Sequence, residues 1–447
     1  MKELEEFFNP CSIALIGASN NPKKPPYYLV KNLVDFGYKG KIYPINPNEN
    51  EIYNVPAYPS ILDVKGDVEL AFIVLPSQIT PKITEECAKK NVKGIIIGSG
   101  RFSEIGIEGK QYIDNVLKIA KKNNIRVMGP NSIGVTNPYA NFTTAFIDIS
   151  MPKRGHIAFI TQTGAIGGPL LHWLMPISKT VCLGNKVDIA IYEILEYLES
   201  DEPTKYIGIH CEQIKEPEKF REIATRVNKK KPIVILKTGS SKIGSAVAKS
   251  HTASLTGRDE IYKSLFQQIG LIRVSTFDDF FDILKLIHKR NYIEKGNLGL
   301  ISISGAQCVL ACDLCEKYNI SIAKISKNAS EELKKLGISN LVLLDVGSWQ
   351  GEMNIEELYR FMTELALSEP NVNYVIIFLI PTPKLFYFDV LNLFSNLQKK
   401  YPNKLLIICM FGEEDICLEW KRELENGGIV TFPSISRILK AISHFRL

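Results

Sequence analysis

Ser12-Ile13-Ala14-Leu15-Ile16-Gly17-Ala18-Ser19-Asn20 is an uncharged, largely apolar run that meets a glycine and then small polar residues. Such a run reads as a buried strand, and the glycine as the turn into a helix whose N-terminus can face a phosphate. The unit of strand, glycine-containing turn and amphipathic helix recurs to the end of the chain, which predicts an α/β protein with parallel sheets. Strands are expected at 13–16, 41–45, 70–75, 94–97 and 126–128, with helices such as 81–90 and 108–122 between them. A second set runs 156–161, 180–183, 206–211, 232–237 and 272–274, and a third 298–304, 374–379, 405–410 and 429–432. Residues 142–154 show no clear period and hold Pro152, and a charged break follows later at Lys289-Arg290-Asn291-Tyr292-Ile293-Glu294-Lys295-Gly296. These breaks predict three domains of similar topology at 1–148, 155–290 and 296–447, each near the ~150 residues of an ordinary domain.

The 447 residues are 45% hydrophobic and 23% charged, the balance of a globular chain too long for one core. No apolar run approaches the ~18–20 residues of a membrane-spanning helix. The start, Met1-Lys2-Glu3-Leu4-Glu5-Glu6, is acidic and unlike a signal peptide. Nine cysteines scattered in apolar runs fit reduced thiols, so the expected location is cytoplasmic. The net charge of +6 is spread along the chain; it suits anionic small ligands and falls short of a nucleic-acid footprint. Neither nucleic acid nor a membrane is an expected partner.

The first domain lacks the full G-x-G-x-x-G spacing of a dinucleotide fold. Its second strand ends in Tyr43-Pro44-Ile45-Asn46-Pro47, without the carboxylate that would hold the ribose of NAD. Lys23 and Lys24 follow the first turn at once, and a 3′-phosphorylated nucleotide such as coenzyme A carries more charge there than NAD. A dehydrogenase is disfavoured. CoA binding and a structural turn that meets no phosphate remain.

Lys249-Ser250-His251-Thr252-Ala253-Ser254-Leu255-Thr256-Gly257 sets a histidine among small hydroxylated residues, ahead of a helix opening near Arg258. The preceding loop, 238–250, carries Gly239, Gly244 and four serines and is expected to be a mobile arm. Imidazole can carry a phosphoryl group covalently at neutral pH, so His251 is either a phosphoryl carrier or an ordinary loop histidine. A carrier needs an acceptor for its other ring nitrogen, which fixes the tautomer. Glu212, at the carboxyl end of strand 206–211, is the natural acceptor, because ligands gather at that edge of a parallel sheet; its alternative is a solvated strand-end carboxylate. The phosphoryl oxygens need donors, and the turn Thr163-Gly164-Ala165 at a helix start offers N–H groups and partial positive charge.

Gly17-Ala18-Ser19, Lys23-Lys24-Pro25, Pro44-Ile45-Asn46-Pro47, Val74-Leu75-Pro76, Phe102-Ser103-Glu104 and Gly129-Pro130-Asn131 occur in a telling order. They resemble, in sequence, the CoA-binding domain of the ADP-forming acyl-CoA synthetases (acetate–CoA ligases), a family related to the alpha subunit of succinyl-CoA synthetase. Thr161-Gln162-Thr163-Gly164-Ala165 and Gly184-Asn185-Lys186-Val187-Asp188 are similar to motifs of the family's second domain. His251 to Gly257 is similar to its phosphohistidine loop, usually His-Thr-Gly-Ser-Leu-Ala-Gly, and the resemblance covers essentially the whole chain. It implies a Rossmann-like CoA-binding domain followed by two flavodoxin-like domains of succinyl-CoA-synthetase type. It implies CoA or acyl-CoA held by Gly17, Ala18, Ser19, Lys23, Lys24, Asn46, Pro76, Ser99, Gly129, Pro130 and Asn131, with phosphate at Thr163, Gly164 and Ala165. It also implies an alpha subunit that passes phosphoryl from acyl phosphate to His251 and then to ADP, with Glu212 as the histidine's partner. The sequence shows no G-x-x-x-x-G-K-[ST] and no ATP-grasp region. Mg-ADP or ATP is therefore expected on a separate ATP-grasp beta subunit in an α2β2 heterotetramer, with a small carboxylic acid as the other substrate and no metal ligand set in this chain.

The chain departs from the family in places. Ser132 follows Gly129-Pro130-Asn131 where the family has cysteine, Pro26 follows Lys-Lys-Pro where it has glycine, and His210-Cys211-Glu212-Gln213 replaces Tyr-x-Glu-Gly. The third domain offers Asn340-Leu341-Val342-Leu343-Leu344-Asp345 in place of Asn-Pro-Val-Asp, and Gly305-Ala306 in place of a glycine pair. Cys308, Cys312 and Cys315 have the spacing of an iron–sulfur motif, but on a helix i, i+4 and i+7 simply mark one face. Trp173 and Trp349 read as packing aromatics, and the other histidines share no metal-like spacing. The rival functions are a CoA-binding regulatory protein that keeps the fold without turnover and the CoA-binding half of an acetyltransferase. The intact His251 loop favours the enzyme.

Overall fold

The structure, a computed structural model, describes residues 4–164, 175–252, 258–289, 293–294, 296–335, 344–345, 353–382 and 387–445, with the backbone alone at 103, 248–252, 335, 344 and 345. Ala165, Trp173, the loop 253–257, Asn340 to Leu343 and Trp349 lie outside the described residues. The chain divides into two compact units, Met1–Thr276 and Phe277–Leu447.

In the first unit, β1 (Ser12–Ile16) and β2 (Lys41–Ile45) are followed by a small hairpin, β3 (Glu51–Ile52) and β4 (Val55–Pro56). Strands β5 (Leu70–Ile73), β6 (Gly94–Ile97) and β7 (Arg126–Met128) complete a parallel sheet of order β2-β1-β5-β6-β7. Every residue of β1, β5 and β6 is buried, which is why they read as unbroken apolar runs. One face packs Ala14, Ile16, Ile73 and Ile97 against Cys87, Ile113 and Val116 of helices Thr80–Lys89 and Ile107–Lys122. The other packs Ile13, Leu15 and Phe72 against Leu29, Val30 and Leu33 of helix Pro26–Asp35.

The second sheet has the order β14-β13-β12-β10-β11-β8-β9. Its strands are β8 (Gly134–Asn137), β9 (Phe142–Thr143), β10 (Arg154–Thr161), β11 (Ile177–Cys182), β12 (Tyr206–Cys211), β13 (Ile233–Lys237) and β14 (Ile272–Val274). Strands β10 to β14 are parallel, while β8 runs antiparallel to β11 and β9 to β8. The segment 134–143, expected inside the first domain, is therefore an edge of the second sheet. Strands of four and two residues are too short to show a period; threonine side chains reinforce their backbone pairing, with Val135 N donating to Thr144 Oγ1 at 2.8 Å and the Thr136 and Thr143 hydroxyls meeting at 2.7 Å. One apolar cluster, including Leu15, Val135, Ile160 and Leu195, runs through both sheets of this unit.

The second unit carries β15 (Leu298–Ser302), β16 (Leu344–Asp345), β17 (Tyr374–Leu379), β18 (Leu405–Met410) and β19 (Val430–Phe432) in a parallel sheet of order β16-β15-β17-β18-β19. Helix Phe277–Ile287 packs within this unit. Its Asp282 takes two 2.7 Å bonds from Arg437, and its Asp279 one of 2.9 Å from Lys440, both on helix Ile435–Ser443. The charge pattern within 277–287 carries no trace of partners so far along the chain. Helix Gly305–Lys317 buries Cys308 and Cys315. Among the described residues no helix is long and apolar enough to cross a membrane.

Candidate functional site

The carboxyl ends of β1, β2, β5 and β6 gather the first group of expected residues. Gly17 has φ +91°, and a Cβ there would lie 2.5 Å from Val74 O. Only glycine fits this turn without strain. Gly17 N donates to Ile45 O at 3.0 Å, and Asn46 Nδ2 donates to Ala18 O at 2.8 Å, so the ends of β1 and β2 are tied together. Ser19 Oγ accepts from Asn21 N, and Asn21 Oδ1 accepts from Lys23 N at 2.9 Å, which holds the exposed Lys23 and Lys24 just before helix Pro26–Asp35. Pro76 is exposed after β5. Ser99 follows β6, and its buried Oγ has no hydrogen-bond partner among the described residues. A Cβ-free turn, two lysines and an unanswered hydroxyl at one sheet edge fit a phosphorylated, amide-bearing ligand such as CoA.

Gly129-Pro130-Asn131 follows β7 at the junction with the second sheet. Asn131 N donates to Ser99 O at 3.0 Å, Asn185 N to Pro130 O at 2.9 Å, and Val187 N to Gly129 O at 3.2 Å. Gly184 has φ +55°, and a Cβ on it would fall 2.0 Å from Pro130 O, so Gly184-Asn185-Lys186 lies directly on Gly129-Pro130-Asn131. Glu104 Oε1 accepts from Asn131 Nδ2 and, at 2.8 Å, from Asn185 Nδ2. Asp188 accepts from Arg126 Nε at 3.0 Å, from Arg126 Nη2 at 3.1 Å and from Val127 N at 2.8 Å, while Glu193 takes Arg126 Nη2 at 2.8 Å. Ser132, where the resemblance leads to a cysteine, is buried; its Oγ donates to Cys182 O and accepts from Gly134 N at 2.8 Å.

Strands β10 and β12 end side by side and bring Gln162 to Glu212. Gln162 Nε2 donates to Glu212 Oε2 at 3.1 Å, while Glu212 N donates back to Gln162 Oε1 at 2.9 Å. Lys186 Nζ reaches the same Oε1 at 2.5 Å and Gln213 O at 2.8 Å. Burial lowers the Lys186 ammonium to about 8, with Cys211 and Glu212 pulling the other way and Lys215 with it. His210, buried on β12 with Nε2 3.2 Å from Thr238 Oγ1, is pushed down to about 4 by burial and then by the Lys186 charge, and so is neutral. Thr163 and Gly164 follow Gln162 directly, half-buried, and Gly164 is already helical.

The expected mobile arm before His251 is a helix, Lys242–Thr252. Ala246, Ala248 and Lys249 favour helix over loop, and Ser241 Oγ caps its first turn by accepting from Gly244 N at 3.0 Å. Beyond its first turn, the N–H groups of this segment are taken up by the helix. The helix lies against the turn Ser103–Ile105, which carries Glu104. The side chain of His251 lies outside the described residues, and so does all of Ala165. Glu104, Gln162, Asn185 and Lys186 stand inside the motifs of the sequence, and their place there is the only signal it carries of the contacts they make.

Residues 11–138 match a family described as CoA binding domain, and residues 154–287 one described as Succinyl-CoA ligase like flavodoxin domain. The alpha subunit of acetate–CoA ligase (ADP-forming) II from Pyrococcus furiosus is 36% identical over 390 residues, covering 85% of this chain and 83% of that one. The chain belongs to the ADP-forming acetate–CoA ligase family. Within that family, acetate–CoA ligase (ADP-forming) II of Archaeoglobus fulgidus is 34% identical over 97% of this chain, and this chain spans 65% of that ligase's length. A solved structure of the dinucleotide forming acetyl-coenzyme A synthetase 1 of Ca. Korarchaeum cryptofilum, in complex with phosphate and ADP, superposes with a TM-score of 0.87 at 29% identity. The match covers 100% of this chain and 96% of that one. The membership accounts for the junction above: the CoA-type segment 129–131 and the ligase-type segment 184–188 form one clamp.

Proposed function

We propose that this chain is the CoA-binding, phosphohistidine-bearing subunit of an ADP-forming ligase acting on acetate or another small carboxylic acid. In the direction of ATP formation, a phosphate oxygen attacks the acyl-CoA carbonyl, the C–S bond breaks, and CoA leaves as its thiol while acyl phosphate forms. The phosphoryl group then passes to a ring nitrogen of His251, releasing the carboxylate, and from there to ADP. Each step exchanges one high-energy bond for another, so the sequence is reversible. Gly17, Ala18, Ser19, Lys23, Lys24, Asn46, Pro76 and Ser99 hold CoA, and Gly129-Pro130-Asn131 faces the thioester. The turn Thr163-Gly164-Ala165 donates to the phosphoryl oxygens, and Glu212 accepts the hydrogen bond of the other His251 nitrogen. Mg-ADP or ATP sits on an ATP-grasp beta subunit of a cytoplasmic α2β2 complex; the naming of the P. furiosus relative as a subunit alpha supports a separate partner.

The observation that carries this reading is the meeting of 129–131 with 184–186 beside the Gln162–Glu212 pair, with the helix bearing His251 lying against the turn of Glu104, which bonds Asn131 and Asn185. The test is incubation of the complex with acyl-CoA and labelled phosphate. An acid-labile, base-stable label should appear on this chain and vanish in His251→Ala, with CoA binding retained. Label surviving in His251→Ala would refute the assignment, and a wild-type chain that binds CoA but never labels would favour the regulatory alternative.

A further inference from the structure

We infer that Lys186 is a positioning residue for phosphoryl transfer: its ammonium fixes the Gln162 side-chain amide, and that amide holds the Glu212 carboxylate in place. The inference rests on the roles proposed above for Glu212 and His251.

Lys186 is 4% exposed and has φ +52°, a backbone conformation that favours glycine. Its Nζ has two acceptors, Gln162 Oε1 and Gln213 O, both neutral, and among the described residues it forms no ion pair. A buried ammonium answered only by neutral oxygens is costly, and an apolar side chain would fill the same space without that cost. What only the ammonium supplies is a charged donor to Gln162 Oε1.

That donor decides which way the amide faces. Gln162 Oε1 receives two hydrogen bonds, from Lys186 Nζ and from Glu212 N. Neither an ammonium nor a backbone N–H can accept, so a flipped amide would set an NH2 group against two donors. Nε2 is left facing Glu212 Oε2 at 3.1 Å, where it holds one carboxylate oxygen. From the other side, Lys215 Nζ donates to Lys186 O at 2.5 Å and anchors the lysine's own backbone. The titratable groups around Lys186 are Cys211 and Glu212 at the end of β12, Lys215 beyond it, and His210.

The test measures the rate at which His251 is phosphorylated from acyl-CoA and labelled phosphate in the assembled complex, with CoA affinity measured alongside. Lys186→Met should slow labelling by about tenfold or more, with CoA affinity unchanged. Lys186→Arg, which keeps a charged donor, should recover part of the rate. The decisive variant is the double substitution Lys186→Met with Glu212→Gln. If the lysine works through the carboxylate, the pair is no slower than Glu212→Gln alone. Gln162→Leu should behave as Lys186→Met does, and it carries the test if the lysine variant does not fold. Wild-type labelling rates in Lys186→Met or Gln162→Leu, or losses that multiply in the double variant, would overturn the inference. A wild-type complex that does not label at all would instead sink the assignment of His251.

Discussion

Replacing Lys186 with methionine should also change how stability depends on pH, by an amount that one buried charge sets. Burial lowers the ammonium from 10.5 to about 8 in the folded chain, against the opposing pull of Cys211 and Glu212. In the unfolded chain the same group titrates at its ordinary value. Between those two values the unfolded state holds the proton and the folded state does not, so stability rises with pH across that window. Below the folded value the penalty is fully present. At about 1.36 kcal/mol per unit, the penalty is about 3 kcal/mol near pH 7 and under about 1 kcal/mol near pH 10. Methionine has similar length and no charge, and its variant lacks this dependence. Near pH 7 the relief is partly offset by the two lost hydrogen bonds, each about 1 kcal/mol. Urea unfolding of both proteins, followed by circular dichroism near pH 7 and near pH 10, gives the stability of variant minus wild type at each. Taking that difference removes the tyrosines and cysteines that titrate in both. It should fall by about 2–3 kcal/mol from the lower pH to the higher. A difference that stays constant would refute the reading of Lys186 as a charge held in the interior.

Gly17→Ala places a methyl group 2.5 Å from Val74 O at φ +91°; it should cost about 1–3 kcal/mol and weaken CoA binding in calorimetry, and an unchanged CoA affinity would remove this turn from the CoA site. Arg126→Met leaves Asp188 and Glu193 facing each other without their shared cation; thermal unfolding should show a loss of about 2–4 kcal/mol, and an unshifted melt would mean that the clamp is solvated.

Local pattern was sufficient for the layered scaffold. Strands Lys41–Ile45, Gly94–Ile97, Arg126–Met128, Tyr206–Cys211, Tyr374–Leu379 and Leu405–Met410 lie where the apolar runs predict them. A strand covered on both faces must be apolar throughout, and that requirement is written in consecutive residues. Gly17 was legible for a similar reason, because a left-handed turn pressed against Val74 O admits no side chain. The order of short motifs sufficed for the family. The glycines and serines of 239–250 predict a loop before His251, but the segment forms the helix Lys242–Thr252, whose alanines at 246 and 248 favour it.

Tertiary structure alone decided who meets whom. The short strands at 134–143 join the second sheet, and helix Phe277–Ile287 is held by Arg437 and Lys440, through partners that no neighbouring residue announces. At the site, Gln162 and Glu212 lie 50 positions apart, and Lys186 joins them from 24 positions beyond Gln162. Each sits in a motif that could be read one at a time, but the bond that makes them a unit exists only where the ends of β10 and β12 adjoin beneath the segment 184–186. Burial and turn geometry are demands on a residue and its immediate neighbours, so sequence records them. The orientation of one amide between an ammonium and a carboxylate depends on three separate segments arriving together, and only the folded chain supplies that.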